Sequence, residues 1–115
     1  MSRLCYALDL VDDPVLIAEY EYWHKSENIW PEITKRIKDA GITQMEIYRT
    51  GNRLFMIMET GASFDASRKA AMDAADPLVK KWEELMWKFQ LALPWAKEGE
   101  KWVGMGSIFR LNEEV

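Results

Sequence analysis

Two alternating runs meet at Thr50-Gly51-Asn52, and this junction constrains the fold more than any other segment. Residues 43–49 put Met45 and Ile47 on one face. Residues 53–59 carry Leu54 to Met58, an apolar stretch expected of a strand covered on both faces or nearly so. A Gly-Asn turn between two such runs predicts a β-hairpin in mid-chain. Residues 3–10 alternate as well: Leu4, Tyr6, Leu8 and Leu10 point one way, and Arg3, Cys5, Ala7 and Asp9 the other. That is a half-buried strand.

Helical spacing fills the intervals. Asp13 can cap a helix that starts at Pro14, where the missing N–H costs nothing, and Leu16, Tyr20 and Trp23 follow at helical spacing. Ser26-Glu27-Asn28 interrupts it. Trp30-Pro31 opens a second helix, with Trp30, Ile33, Ile37 and Ala40 in one stripe and Gly41 as its stop. After the hairpin, residues 63–75 are Ala-rich and helix-favouring. Asp76-Pro77 makes a fresh start, followed by the stripe Leu78, Trp82, Leu85 and Phe89. Residues 91–99 read as a loop and residues 101–111 as a last strand, with Gly104 and Gly106 on one face.

Merging the paired helices gives β-α-β-β-α-β, the ferredoxin-like α+β arrangement. It predicts a four-stranded antiparallel sheet with helices on one face. The other face needs a cover, and a second copy of the chain is the expected one, which makes a homodimer. At 115 residues the chain is one domain, residues 1–115, with one core.

Charge and composition narrow the function. The net charge of −4 argues against nucleic acid and against an anionic membrane surface as partners. The longest apolar run is five residues, far short of a membrane span. The opening MSRLCYALDL does not read as a signal peptide, and a cytoplasmic setting is expected. One cysteine, Cys5, excludes an internal disulfide, and one Cys with one His argues against a transition-metal site. No phosphate-binding loop, dinucleotide fingerprint or nucleophile elbow is present.

The chemistry-bearing candidates cluster early. His24 is the single histidine, able to take and give a proton near pH 7. Tyr20 lies one helical turn before it, so phenol and imidazole share a face. Six Trp offer flat apolar walls on which the C–H face of a sugar could stack. Trp30 and Trp82 sit in helical stripes and also belong to the core by spacing. Glu32 could hold a sugar hydroxyl, although a carboxylate in a first helical turn also suits the helix dipole.

The run EYEYWHKSENIWPEI, residues 19–33, resembles the signature of the L-rhamnose mutarotase family: Glu-Tyr-x-x-x-His followed by Ile-Trp-Pro-Glu. The likeness continues through Gly41, Ile47-Tyr48, Leu54-Phe55, Glu59, the helix around Trp82 to Met86, and Ile108-Phe109-Arg110-Leu111. The resemblance implies a dimeric α/β barrel. It also implies a mutarotase that needs no cofactor and interconverts the α and β anomers of a 6-deoxy-L-hexose. By the same resemblance His24 is the catalytic residue and Tyr20 its partner, and Trp30, Glu32, Tyr48, Trp82 and Trp87 are expected around the substrate. Residues 94–105 are more similar to a branch linked with L-fucose, so L-fucose stands beside L-rhamnose as substrate. Two other readings share the fold: a cofactor-free monooxygenase or haem-degrading oxygenase with His24 as haem ligand, and a non-catalytic sugar-binding module.

Overall fold

A computed structural model describes residues 2–111. Among them the elements run β1 (Ser2–Leu10), α1 (Pro14–Trp23), α2 (Pro31–Asp39), β2 (Ile42–Thr50), β3 (Arg53–Thr60), α3 (Ala66–Ala75), α4 (Pro77–Trp87), β4 (Gln90–Leu91) and β5 (Val103–Met105). The helix starts follow their expected chemistry. The Asp13 carboxylate accepts from the Val15 and Leu16 amides at 2.9 and 3.1 Å, and Pro14 follows at the first helical position. The Asp76 carboxylate does the same for Leu78 at 3.0 Å. At the other end of α2, Gly41 adopts φ +95°, and a Cβ there would fall 2.8 Å from Ser63 Oγ and 2.9 Å from the Phe64 nitrogen. Only glycine meets both demands at once.

The sheet is antiparallel in the order β2-β3-β1-β4, with β5 also paired to β1. β1 and β3 run in register from Ser2 opposite Thr60 to Asp9 opposite Arg53. The β2–β3 hairpin closes at Gly51 (φ +55°), and a register shift between Ile42 and Gln44 bends its far end. β4 and β5 share the remaining edge of β1: Leu10 pairs with Gln90, and Cys5 to Ala7 pair with Met105 to Val103. This is the ferredoxin-like order, with the fourth position divided between two short strands.

That division corrects two expected boundaries. The stretch 91–99 is not all loop, because Leu91 already belongs to β4. The last strand does not run over 101–111; it is Val103–Met105, and residues 106–110 carry no regular structure. A strand of two or three residues has too few positions for a period of two to declare itself, and only its pairing with β1 defines it. α3 also begins later than residue 63, at Ala66, because Asp65 takes the capping position and accepts from the Arg68 amide at 2.9 Å.

The helices cover one face of the sheet. Leu10 and Leu54 from the strands are buried against Ile33, Val79, Trp82, Met86 and Phe89, with Tyr20 among them, and Met56 and Met58 form a second buried cluster with Ile42. The opposite face carries Cys5, Ala7, Phe55, Ile57, Tyr48 and Met105. Cys5, Ala7, Phe55 and Ile57 are half-buried, while Tyr48 and Met105 are exposed. β3 is therefore fully covered on one face only.

Candidate active site

A cavity of about 210 Å³ lies between the helices and the covered sheet face. It is below the roughly 300–1,000 Å³ of sites for drug-sized ligands, in the size class of a monosaccharide. Tyr20 and His24 enter it from the last turn of α1, Trp82, Glu83 and Met86 from α4, and Met56 and Met58 from β3. Ile33, Arg36 and Ile37 of α2, Lys69 and Asp73 of α3, Gln90 of β4 and Trp102 also line it.

The i, i+4 spacing works as the sequence implies. The Tyr20 and His24 rings lie 4.3 Å apart between centroids, tilted by 34°. His24 Nδ1 is 2.8 Å from the Tyr20 backbone carbonyl oxygen. A carbonyl only accepts, so Nδ1 carries the hydrogen. In the neutral ring Nε2 is then the free lone-pair nitrogen. Trp82 presents its ring to His24 edge-on at 5.7 Å, and Trp30 packs on Trp82 at 5.1 Å. The imidazole is thus held by one hydrogen bond and one indole.

Burial sets the two protonation states. Loss of solvent lowers the His24 pKa below 6.5, partly offset by the hydrogen bond to the Tyr20 carbonyl. The imidazole is neutral at pH 7. Tyr20, 3% exposed, is pushed up to about 12, chiefly by desolvation; hydrogen bonding from Gln90 works against that rise and the Glu83 charge adds to it. The phenol keeps its proton throughout the physiological range. The site therefore offers one proton acceptor and one permanent hydrogen-bond donor, side by side.

Of the seven residues expected at the site, the structure brings Tyr20, His24 and Trp82 to the cavity, with Trp30 one layer behind Trp82. The other three do not line that cavity. Glu32 is exposed in the first turn of α2. Tyr48 lies on the open sheet face, where its hydroxyl donates to Glu46 at 2.5 Å, and it borders a smaller cleft of about 130 Å³ that Tyr20 and His24 also line. Trp87 is exposed on α4 beneath the Lys101 ammonium, 4.6 Å from its ring centroid.

Sequence reasoning passed over Arg36, Lys69, Asp73, Glu83 and Gln90. The four charged residues are paired: Arg36 with Asp76 at 2.7 Å, Lys69 with Asp73 at 2.5 Å, and Glu83 with Lys101 at 2.5 Å. Charged positions on amphipathic helices look alike in sequence whether they rim a cavity or face solvent. Gln90 stands on a strand that has no sequence signature.

The model of a family described as L-rhamnose mutarotase matches residues 3–111. The chain belongs to the L-rhamnose mutarotase family. An L-fucose mutarotase from Xanthomonas campestris pv. campestris is 52% identical over 115 residues, covering 100% of this chain and 92% of that one. An L-rhamnose mutarotase from Acidiphilium cryptum is 28% identical, covering 100% of this chain and 86% of that one. Among solved structures, an L-rhamnose mutarotase from Formosa agariphila superposes with a TM-score of 0.71 at 21% identity, covering 96% of this chain and 99% of that one. That likeness shows the shared fold; the family match and the first relative identify the chain as a mutarotase, and mutarotases are isomerases.

Proposed function

We propose that this mutarotase acts on L-fucose in preference to L-rhamnose, with His24 as the proton carrier and Tyr20 as a fixed donor. The observation that carries the mechanism is the bond from Nδ1 to the Tyr20 carbonyl, which leaves Nε2 as acceptor on a residue lining the cavity. The substrate preference rests on the greater similarity to the L-fucose mutarotase and on residues 94–105.

The reaction moves one proton between two oxygens on the same carbon. Nε2 takes the proton from the anomeric hydroxyl and returns it to the ring oxygen as the bond from C1 to that oxygen breaks. The open aldehyde turns about C1–C2. The reverse steps close the ring on its other face, and His24 ends neutral, as it began. Tyr20 donates a hydrogen bond to the oxygen on which charge develops. Its pKa of about 12 suits it to donate a hydrogen bond without giving up the proton.

The same proposal includes a homodimer and a cytoplasmic setting. Among the described residues no helix is long and apolar enough to cross a membrane. The open sheet face holds a groove of about 780 Å³ lined by Arg3, Cys5, Phe55, Met105 and residues 106–111. Ile108, Phe109 and Leu111 stand between 77% and 100% exposed beside it. A second copy packed on this face would bury that apolar surface. The oxygenase reading finds no support in the family match or in the 52% identical relative.

Polarimetry of freshly dissolved α-L-fucose tests the proposal. Catalytic amounts of protein should speed the approach to equilibrium rotation, and should do so less for L-rhamnose. A greater acceleration of L-rhamnose would reverse the assigned preference.

A further inference from the structure

Gln90 is the polar group of the cavity wall whose hydrogen bonding is incomplete. It is 7% exposed, and its Oε1 is buried with no hydrogen-bond partner among the described residues. A buried acceptor left in that state is costly, and native proteins rarely keep one without a use. The carboxamide lies beside the Tyr20 phenol on the same cavity wall. Pairing of Leu10 with Gln90 fixes the backbone of the residue at the edge of β1. Val11 N to Phe89 O, at 2.8 Å, locks the neighbouring position. The side chain is thus anchored by the sheet at one end and set against Tyr20 at the other.

We infer that Gln90 is a substrate-positioning residue whose Oε1 accepts a hydrogen bond from one non-anomeric sugar hydroxyl. This rests on the mutarotase reading and deepens it. The carbonyl oxygen meets a donor that arrives only with the sugar. Together, Tyr20 O–H and Gln90 Oε1 present a donor and an acceptor to neighbouring oxygens of one ring, which restricts how a pyranose can sit over His24 Nε2.

Anomeric exchange measured by saturation-transfer NMR on L-fucose and its 2-, 3- and 4-deoxy derivatives tests the inference. The wild-type protein should lose roughly tenfold in kcat/KM on one derivative, the worth of a single hydrogen bond. Gln90→Met, similar in length and unable to accept in the same way, should lose a comparable factor on L-fucose, mostly in KM, and nothing further on that derivative. Gln90→Glu keeps an acceptor but draws the Tyr20 hydrogen to itself; it should keep the hydroxyl discrimination and lose kcat. Wild-type exchange of L-fucose with all three derivatives within about twofold would overturn the inference, with no variant needed. So would discrimination that survives unchanged in Gln90→Met. Absence of exchange for L-fucose itself would instead remove the mutarotase reading beneath it.

Discussion

The side-chain Nδ1 of His24 and the backbone carbonyl oxygen of Tyr20 stand 2.8 Å apart, one helical turn from each other. The bond falls at the C-terminal end of α1, where carbonyls lack intrahelical partners. A single i, i+4 relationship therefore completes the helix end, selects the histidine tautomer and sets the phenol and imidazole rings side by side.

Removing the imidazole should abolish most catalysis without unfolding the chain. His24→Ala is expected to lose about 10²–10⁴-fold in the catalysed anomeric exchange rate, the usual worth of a general acid–base group. Circular dichroism of the variant should match the parent. Exchange at the parental rate would show that another group carries the proton.

Acid should silence the enzyme through His24. Its pKa is depressed by burial, so the neutral, proton-accepting form prevails above pH 6.5 and is lost only below it. The kcat/KM profile should be flat around pH 7–8 and fall on a single acid limb whose midpoint lies below 6.5. Stability should follow the same sign. The unfolded chain takes up the proton near pH 6.5 while the folded chain resists it, so this contribution to stability declines as pH drops from 6.5 through the folded value. Comparing denaturant midpoints of wild type and His24→Gln across that range isolates it.

The two tryptophans of α4 should separate sharply. Trp82 is buried against His24 and Trp30, so Trp82→Ala should cost about 3–5 kcal/mol of stability and most of the activity. Trp87 is 41% exposed beneath Lys101 and does not line the cavity, and Trp87→Ala should leave exchange within about twofold of wild type. Urea unfolding and exchange kinetics on both variants provide the check.

That separation bears on what a sequence discloses. Three helix starts, at Asp13-Pro14, Trp30-Pro31 and Asp76-Pro77, were legible because their signals are local: a proline in the first turn of each, and a capping aspartate at the first and third. The hairpin was legible for the same reason, through Gly51 and the flanking alternation. So was the meeting of Tyr20 with His24, since helical spacing alone determines it. β4 was not, because two residues hold no period and the strand exists only through its bonds to β1. With it Gln90 stayed hidden. Tyr48 could be placed on a strand but not in a site, because one residue of register decides which face of the sheet it joins. It joined Glu46 on the face away from the cavity.

The open sheet face should govern assembly. Phe55 is half-buried at the groove beside Arg3 and Cys5, and Phe55→Glu would put a charge where the second copy is expected to pack. Sedimentation velocity should give a dimer for wild type and a monomer for Phe55→Glu. A wild-type monomer at micromolar concentration would remove the dimer from the proposal.

Saturation transfer between the anomeric protons of L-fucose, with and without protein, goes furthest toward deciding what the cavity does. Transfer from the α to the β resonance well above the buffer rate, weaker for L-rhamnose and absent with His24→Ala, is the expected result. Exchange no faster than buffer for both sugars would contradict the assignment of Tyr20 and His24 to ring opening.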